Sequence, residues 1–354
     1  LGFSVIIVGT LLAASTGIVG ATVVTMGLLT LPTMLKWGYD KKLASGLICA
    51  SGTLGQIIPP SIVLILLSDV LQGAYSQSQL MQGKIPSHPI STVDLFAGAL
   101  VPGLILVLSY CLWQLFLTFV KPQTCPAVLK FNTKKNTIEI CKIILFPIIL
   151  ILAVLGSILA GIATPTEAAS VGVCGSIILS YAKETFHINM LKKSMIETMS
   201  ISSMIFLILI GAKIFSLVFI GLEGREMISD FMEKIPGGTF GSIFFVMALI
   251  FLLGFFLDFI QIIYLIIPIV GPIILQMDVN PLWFGIMIAI NLQTSFLTPP
   301  FGFALFYFRG VASDKIKTLD IYKGVVPFII IQVIVLLLIA KFPELAIWLP
   351  NKIY

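Results

Sequence analysis

The stretch "NLQTSFLTPPFG" puts Asn291, Gln293, Thr294, Ser295 and Thr298 within eight residues of one another inside an otherwise apolar run, and then breaks the run with Pro299 and Pro300. Burying that many amides and hydroxyls without partners would cost roughly 1–3 kcal/mol each. Interhelical hydrogen bonds can absorb one or two of them. A cluster of oxygens beside a broken helix also suits a dehydrated cation. A second stretch, "ASGTLGQIIPPS", repeats the theme: Gly52 and Gly55 loosen a helix, Pro59 and Pro60 remove its donors, and Ser51 and Thr53 add hydroxyls. The half-helix restarting near Ser61 would offer free N–H groups and a positive dipole end to a carboxylate. Either break, taken alone, reads equally well as a proline kink healed by neighbouring helices.

Two other stretches carry polar atoms into apolar surroundings. "AASTGIVG" supplies Ser15, Thr16 and Gly17, and "LGFFLDF" supplies Gly254 and Asp258. A carboxylate within a membrane is costly to keep, so Asp258 reads as a cation ligand, a proton carrier or half of an ion pair, unless it lies near an interface. In "GIATPTEAASVG", Thr164 to Glu167 reads as a helix start, with Glu167 at the positive end. No phosphate-cradling loop, Ser-His-Asp set or metal-ligand spacing occurs. Two histidines, His88 and His187, and five scattered cysteines, Cys49, Cys111, Cys125, Cys141 and Cys174, argue against metal and disulfide roles. The residues point away from an enzyme.

The elements that hold these residues follow from composition. Of 354 residues 58% are hydrophobic and 10% charged, with apolar runs at about 3–35, 42–72, 92–120, 142–162, 165–183, 195–221, 241–275, 283–309 and 318–349. Such a chain is an all-α polytopic membrane protein in a lipid bilayer. Its net charge of +5 belongs to loops on one side of that bilayer and not to a nucleic-acid surface. The runs at 3–35 and 241–275 are long for one crossing and short for two, which suggests re-entrant hairpins with tips at the two stretches just named. With that topology fifteen of the 21 basic residues fall on one face: Lys36, Lys41, Lys42, Lys121, Lys130, Lys134, Lys135, Lys142, Lys183, Lys192, Lys193, Arg309, Lys315, Lys317 and Lys323. The other face receives Lys84, Arg225, Lys234, Lys341 and Lys352 and an acidic connection with Glu223, Glu226, Asp230 and Glu233. The first face is then cytoplasmic.

Pro32, Pro59 and Pro60 recur as Pro272, Pro299 and Pro300 at an offset of 240, and "VDLFAGALVP" at 93–102 is echoed by "LDIYKGVVP" at 319–327. Five crossings separate the copies, so the repeat is inverted, with residues 1–120 and 241–354 as its halves and 121–240 as connecting loops and scaffold helices. Inverted repeats with broken helices at the midplane are the architecture of secondary transporters. The chain opens on Leu1 inside an apolar run, as if an N-terminal piece were missing.

"SGTLGQIIPPS" (51–61), "DLFAGALVPG" (94–103), "GIATPTEAASVG" (161–172), "GFFLDFIQIIYLIIP" (254–268) and "TPPFG" (298–302) together resemble the large membrane subunit of tripartite ATP-independent periplasmic (TRAP) transporters. Many relatives carry a serine-rich tip followed by an Ala-Asp pair, whereas "STGIVGATV" here has no aspartate. The resemblance implies an elevator-type permease of the bacterial inner membrane, importing an organic anion, a carboxylate or sugar acid, with Na+ as the coupling ion. A periplasmic substrate-binding protein would deliver the anion, and a small membrane subunit would pack alongside. It also implies Na+ ligation by Ser15, Thr16, Gly17, Ser51, Gly52 and Gly55 at one site, and by Gly254, Asp258, Thr298 and Gly302 at another. Thr53, Ser61, Asn291, Gln293 and Thr294 would lie near the substrate. A stand-alone Na+/dicarboxylate symporter of similar hairpin architecture is the alternative.

Overall fold

The computed structural model describes residues 1–85, 90–127, 137–312 and 316–353, with residues 137–144 as backbone. His88, Lys130, Lys134, Lys135 and Lys315, and the side chains of Cys141 and Lys142, therefore lie outside the described residues. Sixteen α-helices and two short 3-10 turns, with no strand, make up the regular structure among the described residues.

Helix α1 (Gly2–Thr16) ends where Gly17 takes a left-handed conformation (φ 62°) and returns its N–H to Ala13 O. Helix α2 (Val19–Lys36) starts two residues later, so the run at 3–35 is a helical hairpin. Asp40 accepts from Lys42 N–H at 2.9 Å and Leu43 N–H at 3.1 Å to start α3 (Lys41–Thr53). A 3-10 turn (Leu54–Gln56) and an irregular stretch through Ser61 then separate α3 from α4 (Ile62–Met81). The Ser91–Asp94 capping box opens α5 (Thr92–Val120).

Next come α6 (Thr137–Leu159), α7 (Pro165–Ala182) and α8 (Ile188–Gly221). Thr164 and Glu167 form the capping box at the start of α7, with Thr164 N–H donating to Glu167 Oε2 at 2.8 Å. The acidic connection that followed in the sequence folds as a helix of its own, α9 (Gly224–Glu233). Met227, Ile228, Phe231 and Met232 supply a helical apolar spacing among its charges.

The run at 241–275 divides into α10 (Gly238–Leu253), a turn over 254–258, α11 (Phe259–Leu265) and α12 (Ile267–Leu275). Pro268 accounts for the interruption between α11 and α12, because it lacks an N–H and crowds the preceding turn. Asn280 caps α13 (Pro281–Leu297), which breaks over 298–302 before α14 (Phe303–Val311). The segment read as one run at 318–349 is two helices, α15 (Thr318–Lys341) and α16 (Glu344–Ile353). Pro343 disfavours helical geometry at Phe342 and separates them.

The chain forms two compact units, Leu1–Leu129 with Ser216–Tyr354, and Lys130–Phe215. In the second, α6 packs along α7. In the first, the N-terminal and C-terminal parts interlock. Helix α3 crosses α15 where Gly46 meets Gly324, so closely that a Cβ on either glycine would run into the other helix's backbone. Gly98 of α5 packs against α16 and α13, where a Cβ would come 2.8 Å from Ala346 O and 3.3 Å from Leu282. Helix α14 lies against α2 and α4 against α12, with Gly27 and Gly271 allowing the approach. Four described helices, Val19–Lys36, Thr92–Val120, Ile188–Gly221 and Thr318–Lys341, are long and apolar enough to cross a membrane. Leu104, Leu108, Leu112 and Phe119 line an exposed apolar face of α5, suited to lipid and not to water.

Candidate functional site

The first break is packed by the first hairpin. Gly17 lies at its turn, where a Cβ would be 3.4 Å from Pro60 O and 3.5 Å from Ile62 N; Gly55 lies equally close to Ala13 O at the end of α1. Thr16 Oγ1 and Thr22 Oγ1 are 2.6 Å apart and share a hydrogen bond across the turn. Thr16, Gly17, Gly55 and Pro60 are thus brought together. Ser51 faces Gly9 of α1, and its hydroxyl donates to Leu47 O at 2.5 Å. Gly52 packs against Val23 of α2. Both sit further down the hairpin arms than the turn. Ser15 is exposed and donates to Leu12 O at 2.9 Å, pointing out of this cluster. Ser61 is buried and spends its hydroxyl on Gln56 O at 2.8 Å, satisfying one carbonyl that the break frees. It therefore does not cap α4.

The second break is packed by the second hairpin. Gly254 rests on Ser295, and ring pairs Phe256–Phe301 (5.5 Å), Phe259–Phe296 (6.1 Å) and Phe296–Phe303 (4.9 Å) lock the turn to the break. The half-buried Asp258 begins α11, its N–H bonded to Gln261 Oε1 at 3.2 Å. Thr298 Oγ1 donates to Thr294 O at 2.7 Å, and Gly302 N–H to Thr298 O at 3.1 Å. The Phe296 and Thr298 carbonyls crowd Gly302, where a Cβ would come within 2.6 Å and 2.9 Å of them. Both Pro-Pro peptide bonds, 59–60 and 299–300, are cis. These groups form a set of neutral oxygens plus one carboxylate, the donor chemistry of a hard monovalent cation.

Between the breaks lies a buried polar node. Gln293 Nε2 and Gln332 Nε2 both donate to Thr53 Oγ1 at 3.4 Å, and Gln332 Nε2 donates to Tyr110 OH at 2.8 Å. All four residues are buried, and the Oε1 atoms of Gln293 and Gln332 have no partner among the described residues. Thr53 and Gln293 are separated by 240 positions, the same offset that relates the two proline pairs. Asn291 goes elsewhere: its Nδ2 donates to Met247 O at 2.7 Å, tying α13 to α10. With Thr294 it lines an apolar groove of about 340 Å³ among Phe240, Phe244, Phe251 and Leu337.

Sequence reasoning passed over Tyr110 and Gln332, although Gln332 is the lone polar side chain between Lys323 and Lys341. It also passed over Gln56, buried with neither amide atom partnered among the described residues, and Tyr322, whose hydroxyl donates to the freed Pro300 O at 2.9 Å.

Apolar helices of membrane-crossing length, beside two helix pairs, α3–α4 and α13–α14, that break around buried oxygens, make this a polytopic membrane protein with the anatomy of a permease. The sequence profile of the family "Tripartite ATP-independent periplasmic transporter, DctM component" matches residues 1–345, and the chain belongs to that family. It is 28% identical to the C4-dicarboxylate TRAP transporter large permease protein DctM of Rhodobacter capsulatus, over 99% of this chain and 78% of that one. It is 27% identical to the sialic acid TRAP transporter permease protein SiaT of Haemophilus influenzae, over 92% of this chain and 50% of that one. Similarity to the isethionate TRAP transporter permease protein DctMQ of Oleidesulfovibrio alaskensis is 29%, over 97% and 51%. These relatives are named as permeases, which sets the chain among transport proteins and not enzymes.

Proposed function

We propose that the chain is the large permease subunit of a Na+-coupled, binding-protein-dependent importer of a small organic anion, working in the bacterial inner membrane beside a small membrane subunit. The family's own description is tripartite and periplasmic, and the relatives are named for C4-dicarboxylates, sialic acid and isethionate, all of them organic anions.

The observation that carries the reading is the pairing of each broken helix with a hairpin turn: Gly17 beside Pro60, and Gly254 beside Ser295. The Thr53–Gln293 contact, between positions related by the repeat offset, supports an inverted repeat with its pseudo-axis between the breaks. Both hairpins and both broken helices fall in one compact unit, which supports an elevator motion of that body. In this scheme the Na+ ions sit at the two turn-and-break junctions, the first around Thr16, Gly17 and Gly55 and the second around Gly254, Asp258, Thr298 and Gly302. Ser15, Ser51 and Gly52 are peripheral to the first. The anion lies between the junctions, near Thr53, Ser61 and Gln293.

Uptake into vesicles holding the assembled transporter tests this. An inward Na+ gradient with the cognate binding protein drives accumulation, and omitting either abolishes it. Asp258→Asn combined with Thr298→Ala reduces Na+-driven uptake at least about tenfold, the equivalent of losing one charge-assisted contact. Unchanged uptake in that variant sinks the second Na+ site. Full uptake without the binding protein favours the stand-alone symporter.

A further inference from the structure

Tyr307 stands between the two hairpins. It lies on α14, one turn beyond the second break, and its ring closes over Gly20 at the start of α2. A Cβ on Gly20 would come 3.0 Å from both Cε2 and Cζ and 3.2 Å from Cε1. Gly20 is itself three residues past the turn of the first hairpin. On its other side Tyr307 is close enough to Asp258, at the turn of the second hairpin, for that carboxyl group to act on it electrostatically. The ring is 41% exposed, and its hydroxyl has no hydrogen-bond partner among the described residues. A phenol next to both turns, with its donor unspent, is primed for a ligand. The hydroxyls of Thr16, Thr298 and Ser61 at the two junctions are already committed to protein atoms.

We propose that Tyr307 is a substrate-contacting residue, its hydroxyl donating to an anionic oxygen of a carboxylate or sulfonate held between the hairpins, and that Gly20 fixes where the ring stands. This rests on the transport function proposed above. A hydrogen bond to a charged oxygen accounts for about a tenfold or larger change in affinity. Gly20 matters because any side chain there pushes the ring off its position.

The test uses vesicles with the complete transporter and measures uptake of radiolabelled succinate, N-acetylneuraminate and isethionate with the cognate binding protein. On the anion that the wild type carries, Tyr307→Phe raises KM about tenfold and leaves the half-saturating Na+ concentration unchanged. Gly20→Ala shifts KM the same way through ring displacement. Tyr307→Phe removes only an unpaired hydroxyl, so the amount of folded subunit stays level. An unchanged KM in Tyr307→Phe overturns the inference while leaving the transport function standing. A shift in Na+ dependence at constant KM also overturns it, because the hydroxyl would then serve the cation. A wild type that carries no anion bound by its cognate binding protein overturns the transport function and this inference with it.

Discussion

Thr53 receives two glutamine side chains at one hydroxyl oxygen and passes its own proton to Ala50 O at 2.9 Å, so α3, α13 and α15 meet at a single atom. Tyr110 brings in α5 through Gln332. In a buried core such bonds face little competition from solvent, and a group stripped of its partner is costly to leave so. Tyr110→Phe and Gln332→Leu are each expected to destabilise the protein by roughly 1–2 kcal/mol. Because they cut the same bond, the double variant should fall short of the sum by at least about 0.5 kcal/mol. Thermal unfolding in detergent measures all three, and strict additivity would show that the node is not a coupled unit. Local sequence gave little sign of it. Gln332 is a lone polar residue in the apolar body of α15, and Tyr110 sits on α5 near Ser109 and Gln114 among apolar residues on every face, so no periodicity says which face turns inward.

The elements were more legible where backbone chemistry decides. Two consecutive prolines cannot continue a helix, and the chain breaks at 59–60 and at 299–300. Gly17 in "STG" takes the left-handed conformation that closes the first hairpin. Proline also divides α11 from α12 and α15 from α16, a signal at Pro268 and Pro343 that runs of uniform hydropathy hid. What no local pattern announced is the exchange of partners, α3 with α15 and α13 with α5. Glycine makes that exchange possible, and a graded outcome follows. Gly324→Ala drives a methyl group into the Lys42 carbonyl, so the helices must separate, at a cost of about 1–3 kcal/mol. Gly310→Ala, on α14 with nothing within 4 Å, is neutral or stabilises by up to about 1 kcal/mol through helix propensity. Melting temperatures of the two variants should move in opposite directions or differ by several degrees. Equal shifts would mean that the α3–α15 crossing is looser than the backbones indicate.

At the scale of the whole molecule, the interlocking of the outer parts and the distribution of charge bear on the same question, which way the chain runs through the bilayer. Basic residues retained on the cytoplasmic side set orientation in short loops. Lys36 to Lys42, Lys121, Lys183 to Lys193, and Arg309 to Lys323 share one face if each hairpin enters and leaves on a single side. The acidic α9 and the C-terminal α16 then share the opposite face. Glu226, Lys352, Lys121 and Lys192 are all exposed, so each can be replaced by cysteine in a background without the native cysteines at little cost to packing. A membrane-impermeant maleimide added to intact spheroplasts should label Cys at 226 and at 352. The same reagent should reach 121 and 192 only after the membrane is opened. A second hairpin that crossed fully would put 352 opposite 226, on the side of 121 and 192, and scatter the lysines, so that pattern would remove its re-entrant turn and with it the inverted relation between the halves. A clean reversal, with 121 and 192 labelled from outside, would keep the hairpins and invert the transporter. The first hairpin would then open to the periplasm, and the proposed binding protein would have to dock against the lysine-rich face and not the acidic one.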